Sequence, residues 1–374
     1  MSHAHYFFAG LAALALSACI AGTSPAADPI KIGFAGSLSG DLAPYGLPSL
    51  KAVQLVVKEI NDQGGIQGRP IELLVEDDAC KPELATNSAT KLVVGGVKMV
   101  IGHTCSGPTK AALPIYQSAK VLVISPSATS PLLNQDGAYP FFFRTIATDD
   151  VQAATQVKFA LRTLKAGKIA VLHDKGDYGK GLAEFAKSLI ERSGTAQVAL
   201  FEGISPGAVD YSAVVQKIKR SDAEAVLFGG YHPEASKLVS QMRQKRLAIP
   251  FVSDDGVKND TFIKVAGKDA EGVYATGPAD ASDNPVTMAF REKFRHAEGA
   301  DPGAFFDNAV AAALALTNAI AKSGSTDPEA VARILRSHQV ATPFGPLVFD
   351  AKGEPVGIGI TLYQARNGQF VQVR

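Results

Sequence analysis

Short apolar runs alternate with amphipathic stretches along most of the chain. Ile30 to Phe34 is an apolar run of strand length, and the apolar residues from Leu50 to Ile60 recur at spacings of three, three, one and three, which places them on one helix face. Further strands are predicted at 71–75, 99–102, 121–124, 169–172, 197–201, 225–228 and 251–252, with helices at 81–94, 108–119, 182–192, 211–220 and 234–245. Alternating strands and helices predict parallel sheets covered by helices.

The alternation runs twice before the pattern changes. A short extended segment at 141–145 closes the first run, and a helix at 151–164, with Asp149 or Asp150 as its expected N-cap, opens the second. Helices at 286–294, 305–321 and 328–337 follow, and then β-like segments at 347–349, 358–363 and 370–373. We therefore predict two α/β units and a β tail that completes sheets begun earlier.

Composition excludes several classes of protein. The 374 residues include 37 Lys and Arg against 36 Asp and Glu, and a net charge of +1 argues against a nucleic-acid-binding arm or a polybasic membrane patch. An apolar content of 46% is enough for large cores, which excludes general disorder. At roughly 100–200 residues per domain, the length favours two domains.

Residues 1–27 predict export. They contain no Lys, Arg, Asp or Glu, and the apolar run from Tyr6 to Ala18 has the length of a signal-peptide core but is too short to span a bilayer. Small residues at 24–27 favour signal-peptidase cleavage before Asp28. Leu16 to Cys19 instead resembles a bacterial lipobox, in which Cys19 carries a lipid, and in a third interpretation Cys19 is only a small apolar residue of the leader.

Export changes the interpretation of the three cysteines. Cys19 is either removed or lipidated, so Cys80 and Cys105 remain, and two thiols in an oxidising compartment most simply form one disulfide. A disulfide that closes this 25-residue loop contributes about 3 kcal/mol to stability in the chain-entropy model. Two buried free cysteines are the alternative.

Polar and glycine-rich segments follow the predicted strands. In open parallel sheets, ligands bind beyond the carboxyl ends of the strands. The first unit has hydroxyl-rich turns at 102–109 and 125–129, and a helix N-terminus after such a turn favours a carboxylate or phosphate. The second unit has tyrosines and carboxylates at 173–179, 229–234 and 253–256. The combination suits a small zwitterion, although each feature alone also fits an N-cap, a turn or core packing.

The sequence lacks the familiar catalytic and metal-binding patterns. It contains no HExxH or CxxC motif, and its seven His are scattered without metal-ligand spacing. His103 and Cys105 lie two residues apart, and side chains at that spacing in an extended segment point to opposite faces. We therefore expect a protein that is not an enzyme and that uses no metal and no cofactor.

Segments spread over nearly the whole chain resemble the periplasmic leucine/isoleucine/valine-binding proteins that feed ABC transporters. The segments that carry the resemblance are 30–36 (IKIGFAG), 44–46 (PYG), 61–66 (NDQGGI), 77–80 (DDAC), 100–106 (VIGHTCS), 126–129 (PSAT), 173–179 (HDKGDYG) and 229–234 (GGYHPE). Such a protein has a type I periplasmic binding fold, with two Rossmann-like lobes, parallel-rich sheets flanked by helices, and a three-segment hinge. The resemblance implies a first lobe of 28–147 with 279–360, and a second lobe of 148–278 with 361–374, after a signal peptide of 1–27.

The resemblance also implies roles for individual residues. The family's carboxylate-binding serine corresponds to Ser106. The residue whose backbone carbonyl faces the ligand ammonium corresponds to Ser127, and the hydroxyl that serves both charged groups belongs to Thr129. Asp255 stands where the family's ammonium-binding acid is Glu, and being one methylene shorter it needs further closure or a bridging water to reach the ligand. The aromatic walls of the cleft fall on Tyr45, Tyr178 and Tyr231. The match near Phe305 and Phe306 is loose and implies no ligand residue there.

The implied function is that of an extracytoplasmic solute-binding protein of an ABC importer, which captures an aliphatic or branched-chain amino acid by hinge closure. Its expected partners are a free amino acid and a membrane permease, and no nucleic acid is expected. We expect a monomer in the periplasm. Lipid anchoring through Cys19 remains the alternative to a free periplasmic protein. The alternative is a same-fold binding protein or sensor for an amide, urea or another small polar solute.

Overall fold

The computed structural model describes Met1 and residues 28–373. Most of the predicted signal peptide, including Cys19, therefore lies outside the described residues. Within the part of the chain that is described, no helix is long and apolar enough to cross a membrane.

The first lobe contains a five-stranded parallel sheet in the order β2-β1-β3-β4-β5. Its buried strands are short and apolar because helices cover both faces of the sheet. The strands are β1 (Ile30–Gly36), β2 (Ile71–Asp77), β3 (Met99–Gly102), β4 (Leu122–Ser125) and β5 (Phe142–Arg144), and the helices between them are α1 (Ala43–Asp62), α2 (Pro82–Val94) and α3 (Ser106–Ser118).

The second lobe contains a seven-stranded sheet in the order β14-β13-β10-β9-β8-β6-β7. Its helices are α4 (Asp149–Arg162), α5 (Asp177–Ser193), α6 (Ser212–Arg220), α7 (His232–Gln244) and α8 (Asp260–Ala266). Its parallel strands are β6 (Lys168–His173), β7 (Gln197–Gly203), β8 (Ala225–Gly229), β9 (Phe251–Ser253) and β10 (Tyr274–Pro278).

The rest of the chain returns to both lobes. Helices α9 (Pro285–Glu298), α10 (Phe306–Ser323) and α11 (Pro328–Ser337) share one core with β1 and α1. The many alanines of α10 let it lie close against α1 and the first sheet, because small side chains permit near approach of a helix. The short hairpin β11 (Val340–Thr342) and β12 (Gly345–Leu347) follows, and then β13 (Ile360–Arg366) and β14 (Gln369–Gln372).

The β tail completes only one of the two sheets. Strand β13 pairs antiparallel with β10, and β14 pairs with β13, so both extend the second sheet as predicted. The predicted strand at 347–349 does not join a large sheet, because Leu347 ends a separate two-stranded hairpin. The hairpin packs against the first lobe instead, where Leu347 and Phe349 are buried in the core that contains α10.

The chain passes between the two sheets three times, at 145–148, at 279–284 and at 350–359. These crossings agree with the predicted fold class of two parallel-rich, helix-flanked sheets joined by three segments. The residue boundaries given above for the two lobes stay a prediction. Every strand of the first sheet lies within 30–144, and every strand of the second lies within 168–278 or 360–372.

Candidate ligand-binding cleft

The carboxyl ends of the strands bring the predicted site residues together between the lobes. A narrow cavity lies there, and residues of both lobes line it. Six of the seven predicted ligand residues form part of its lining: Tyr45, Ser106, Ser127, Tyr178, Tyr231 and Asp255. Thr129 is fully buried but is not part of the lining. Thr104, Gly256 and Phe305 also line the cavity, although the family resemblance implies no ligand role for them.

Hydroxyl groups and a helix start form the first-lobe side of the cavity. Ser106 is the first residue of α3, where backbone N–H groups have no partner within the helix, and its Oγ accepts a hydrogen bond from the Ser130 N–H at 3.2 Å. The Ser127 hydroxyl is already used, since it donates to the Thr104 carbonyl at 2.8 Å. The Thr129 hydroxyl makes no hydrogen bond with the described residues. This side therefore offers donors suited to an anionic group.

The predicted disulfide between Cys80 and Cys105 is present, with the two Cα atoms 5.7 Å apart. Cys105 is the N-cap residue of α3 and directly precedes Ser106, so the bond fixes the start of that helix. A buried network supports the same loop. Asp78 accepts the Cys80 N–H at 2.8 Å and lies 2.6 Å from Nδ1 of His103. Cys105 is therefore not a free thiol beside His103, which removes the only nucleophile that the sequence had suggested.

The three predicted aromatic walls form one contiguous cluster. The ring centroid of Tyr231 lies 5.7 Å from that of Tyr45 and 5.1 Å from that of Tyr178. Phe305 extends the cluster, with its centroid 5.9 Å from that of Tyr45. Its position immediately before the Ala-rich helix α10 was visible in the sequence, but only the folded chain places that helix start at the cleft.

The hydroxyl of Tyr45 joins the two lobes. It donates to the Gly256 carbonyl at 2.5 Å and lies 2.6 Å from Nδ1 of His232, and it accepts a hydrogen bond from Asn259 Nδ2 at 3.2 Å. Burial lowers the pKa of His232 to about 4, so the imidazole is neutral at pH 7. The single proton of the Tyr45 hydroxyl is directed at the Gly256 carbonyl. The neutral His232 therefore carries its proton on Nδ1 and donates it to the Tyr45 oxygen.

Asp255 supplies the acidic group of the cavity. Its Oδ1 accepts a hydrogen bond from the Tyr178 hydroxyl at 2.5 Å, whereas its Oδ2 has no hydrogen-bond partner among the described residues. Asp255 is 3% exposed, and burial raises the pKa of its carboxyl to about 6. A buried carboxylate with one free oxygen and no cation beside it is suited to bind an ammonium group.

Two further buried carboxyl groups lie near Asp255. Asp254 accepts the Gly230 N–H at 2.9 Å, and Asp149 accepts a hydrogen bond from Gln152 Nε2 at 3.3 Å. Asp149 was expected to be an N-cap, and this expectation is wrong, as it was for Asp150. Thr148 occupies the cap position without a side-chain cap, and Asp149 is the first residue of α4. Within residues 28–373 no group of three or more His, Cys, Asp or Glu has an arrangement that could hold a metal ion.

Comparisons with known proteins show the family of this chain. A family model described as periplasmic binding protein matches residues 29–369. The leucine-, isoleucine-, valine-, threonine- and alanine-binding protein of Pseudomonas aeruginosa is 40% identical over 354 residues, which is 94% of each chain. The Leu/Ile/Val-binding protein of Escherichia coli is 35% identical over 345 residues, 91% of this chain and 93% of that protein.

A solved structure gives the same result for the fold. The branched-chain amino acid transporter substrate-binding protein of Streptococcus pneumoniae, in complex with isoleucine, superimposes with a TM-score of 0.83 at 28% identity, and the match covers 92% of this chain and all of that one. Sequence and fold thus agree over nearly the full described length. The chain belongs to the periplasmic binding protein family.

Proposed function

We propose that this protein is the extracytoplasmic solute-binding component of an ABC importer and that it captures an aliphatic amino acid between its lobes. One observation carries the proposal. A single small cavity combines a helix start rich in hydroxyl groups, a buried carboxyl with an unpaired oxygen, and a wall of aromatic rings. These groups match the three parts of an aliphatic amino acid, namely its carboxylate, its ammonium and its apolar side chain.

In this proposal each of the seven predicted ligand residues, together with Phe305, has a defined task. Ser106 and Thr129 bind the ligand carboxylate, with the N–H groups at the start of α3. The Ser127 carbonyl and Asp255 Oδ2 accept hydrogen bonds from the ammonium, with a water molecule or a small further closure compensating for the short Asp side chain. The side chain of the ligand packs among Tyr45, Tyr178, Tyr231 and Phe305.

Capture follows from contacts that only the closed state makes. A ligand that touches Ser106 on the first lobe and Asp255 on the second stabilises the closed arrangement by its differential contacts. The closed protein then docks on a membrane permease, and no step of this cycle requires the protein to be an enzyme. We propose that it works as an exported monomer.

A thermal-shift panel tests the proposal. A ligand at 100 times its Kd stabilises a protein by about 2.7 kcal/mol, which raises the Tm visibly. Leucine, isoleucine and valine should raise it. Leucinamide and 4-methylpentanoate, which lack the carboxylate and the ammonium respectively, should not. A shift with acetamide or urea, and with no amino acid, would overturn the proposal in favour of a binding protein for small polar solutes.

Processing of the leader has a direct test. Mass spectrometry of the mature protein distinguishes a chain that begins near Asp28 from one that begins at a lipid-modified Cys19. Retention of residues 1–27 on the mature protein would contradict the proposed export.

A further inference from the structure

Two of the residues proposed to hold the ligand head group lie on an irregular turn that follows β4. Ser127 and Thr129 are both buried there, and the residues from 126 to 130 belong to no helix or strand. We refer to residues 125–130 as the ligand turn. The backbone of such a turn has no helical or sheet ladder, so the groups that bond to it decide where its carbonyls and hydroxyls point.

A serine holds the first half of the ligand turn. The Ser125 hydroxyl donates to the His103 carbonyl at 2.7 Å and accepts the Ala128 N–H at 2.9 Å. These contacts fix the backbone as far as Ala128. The carbonyls on either side of Thr129 are bound by a different donor.

A buried arginine holds the second half of the ligand turn. Arg144 ends β5 and is 0% exposed. Its Nη1 donates to the Ala128 carbonyl at 2.8 Å and to the Ser130 carbonyl at 2.9 Å. One nitrogen therefore binds both carbonyls that flank Thr129. Because the N–H groups of a planar guanidinium have fixed directions, this nitrogen sets the orientation of the backbone between the two carbonyls.

The same guanidinium reaches the third crossing between the sheets, at 350–359. Its Nη2 donates to Glu354 Oε1 at 2.9 Å, and the Arg144 backbone N–H donates to the Gly353 carbonyl at 3.2 Å. Glu354 supplies the negative charge that a buried arginine needs. Arg144 thus connects the ligand turn with the third crossing.

The first crossing, at 145–148, also borders the ligand turn. The Thr145 N–H donates to the Ser125 carbonyl and the Asp149 N–H donates to the Thr129 carbonyl, each at 3.0 Å. Among the described residues, the side-chain hydrogen bonds of Arg144 involve no strand or helix of the second sheet. Separation of the lobes therefore leaves the guanidinium and the ligand turn in contact.

We propose that Arg144 is a positioning residue for the ligand: without touching it, the guanidinium holds the Ser127 carbonyl and the Thr129 hydroxyl in place before capture. This inference rests on the proposed function. A turn that is ordered in the free protein removes the free-energy cost of ordering it during binding. Without Arg144 that cost lowers the affinity for every amino acid alike, because the ligand turn faces the ammonium and the carboxylate that all of them share.

Calorimetry of the double variant Arg144→Met, Glu354→Gln tests the inference. Removal of both charges together avoids a buried carboxylate without its partner. At a temperature where the variant is folded, the Kd for leucine should rise about tenfold and the Kd for valine by the same factor. Arg144→Lys is the second variant if the first does not fold. It keeps a positive charge beside Glu354 but lacks the planar fork, so it should raise both Kd values in the same way.

Two controls separate positioning from stability. Glu354→Gln alone keeps both carbonyl contacts of Arg144, so it should lower the Tm and leave the Kd for leucine nearly unchanged. Leu335→Ala removes a buried side chain of α11 that does not line the ligand cavity. The space it leaves should lower the Tm without raising the Kd.

The outcomes separate this inference from the function on which it rests. If the unmodified protein binds leucine and the Arg144 variants bind it equally tightly, the positioning role is overturned and amino-acid capture stands. An equal rise of the Kd in either control overturns the positioning role too, because the loss would then follow the ion pair or the stability of the fold. Failure of every aliphatic amino acid to bind the unmodified protein overturns the proposed function and this inference together.

Discussion

The hydroxyl of Tyr45 on the first lobe lies 2.6 Å from Nδ1 of His232 on the second lobe. The same hydroxyl donates to the Gly256 carbonyl and accepts from Asn259, so one buried atom of the first lobe contacts three residues of the second. Other direct polar contacts between the lobes include Lys110 with Asp177 at 2.7 Å, an exposed ion pair of the kind that contributes little to stability. Tyr45 therefore makes buried polar contacts that hold this cleft closed.

Tyr45→Phe should weaken leucine binding about tenfold, because loss of a buried hydrogen-bonded hydroxyl costs about 1–1.5 kcal/mol and here only the closed state loses it. Calorimetry measures the change in Kd. The matched control is Tyr116→Phe, which removes a buried hydroxyl that contacts His103 within the first lobe. It should lower the Tm and leave the Kd nearly unchanged. Equal effects of the two variants on the Kd would contradict the role given to Tyr45.

Asp255→Asn should abolish amino-acid binding without loss of the fold. An amide in place of the carboxylate removes the negative charge that faces the ammonium, and a buried charged hydrogen bond is the strongest polar contact in the proposed site. We expect a loss of affinity of at least about 100-fold, which corresponds to about 2.7 kcal/mol. Calorimetry measures the loss, circular dichroism monitors the fold, and unchanged affinity would show that Asp255 is not the ammonium-binding acid.

Removal of the Cys80–Cys105 disulfide should lower the free energy of unfolding by about 3 kcal/mol, because it frees a loop that the bond closes in the unfolded chain. Urea unfolding of the Cys80→Ala, Cys105→Ala double variant measures this change. Since Cys105 caps α3 directly before Ser106, the Kd for leucine should also rise. An unchanged Kd in the folded double variant would mean that the bond supports the fold alone.

His232 should make the closed protein less stable as the pH falls from about 6.5 to 4. Its pKa is lowered to about 4 by burial, so over this range the unfolded chain binds a proton that the folded protein does not. Protonation of the unfolded state then favours unfolding, and the contribution of His232 falls by up to about 3 kcal/mol between these pH values. Asp255 and Asp174 act in the opposite direction, because their raised pKa values favour the folded state at low pH.

The comparison of His232→Asn with the unmodified protein isolates this effect. The difference between their free energies of unfolding should change with pH between 4 and 6.5 and stay constant above that range. A constant difference over the whole range would contradict a buried, neutral His232.

The pattern of the chain predicted most of the secondary structure because buried strands and amphipathic helices have different periods. Strands β1 to β9 and helices α1 to α7 lie close to their expected positions, whereas strand β10, the short helix α8 and strand β11 were missed. The predicted strand at 347–349 is not part of a large sheet, because an apolar run of three residues fits a hairpin as well as a sheet strand. The disulfide was predicted from an inventory of two cysteines, and the structure contains it.

The resemblance gave the candidate ligand residues, and the structure brings six of the seven to one cavity. It could not give Phe305, whose place depends on how α10 packs against the first lobe, nor Thr104 and Gly256, which reach the cavity through their loops. Asp149 shows the same limit. An Asp at a predicted helix start indicates an N-cap. In the folded protein Asp149 is instead the first residue of α4 and is buried near Asp254 and Asp255.

The sequence by itself predicted the order of strands and helices and the pairing of Cys80 with Cys105, because these depend on local periodicity and residue counts. Tertiary structure alone decided which side chains meet between the lobes. The contact of Tyr45 with His232 spans 187 positions and the coupling of Asp149 with Asp255 spans about a hundred, so both arise only when the two sheets have formed and their carboxyl ends face each other across the hinge.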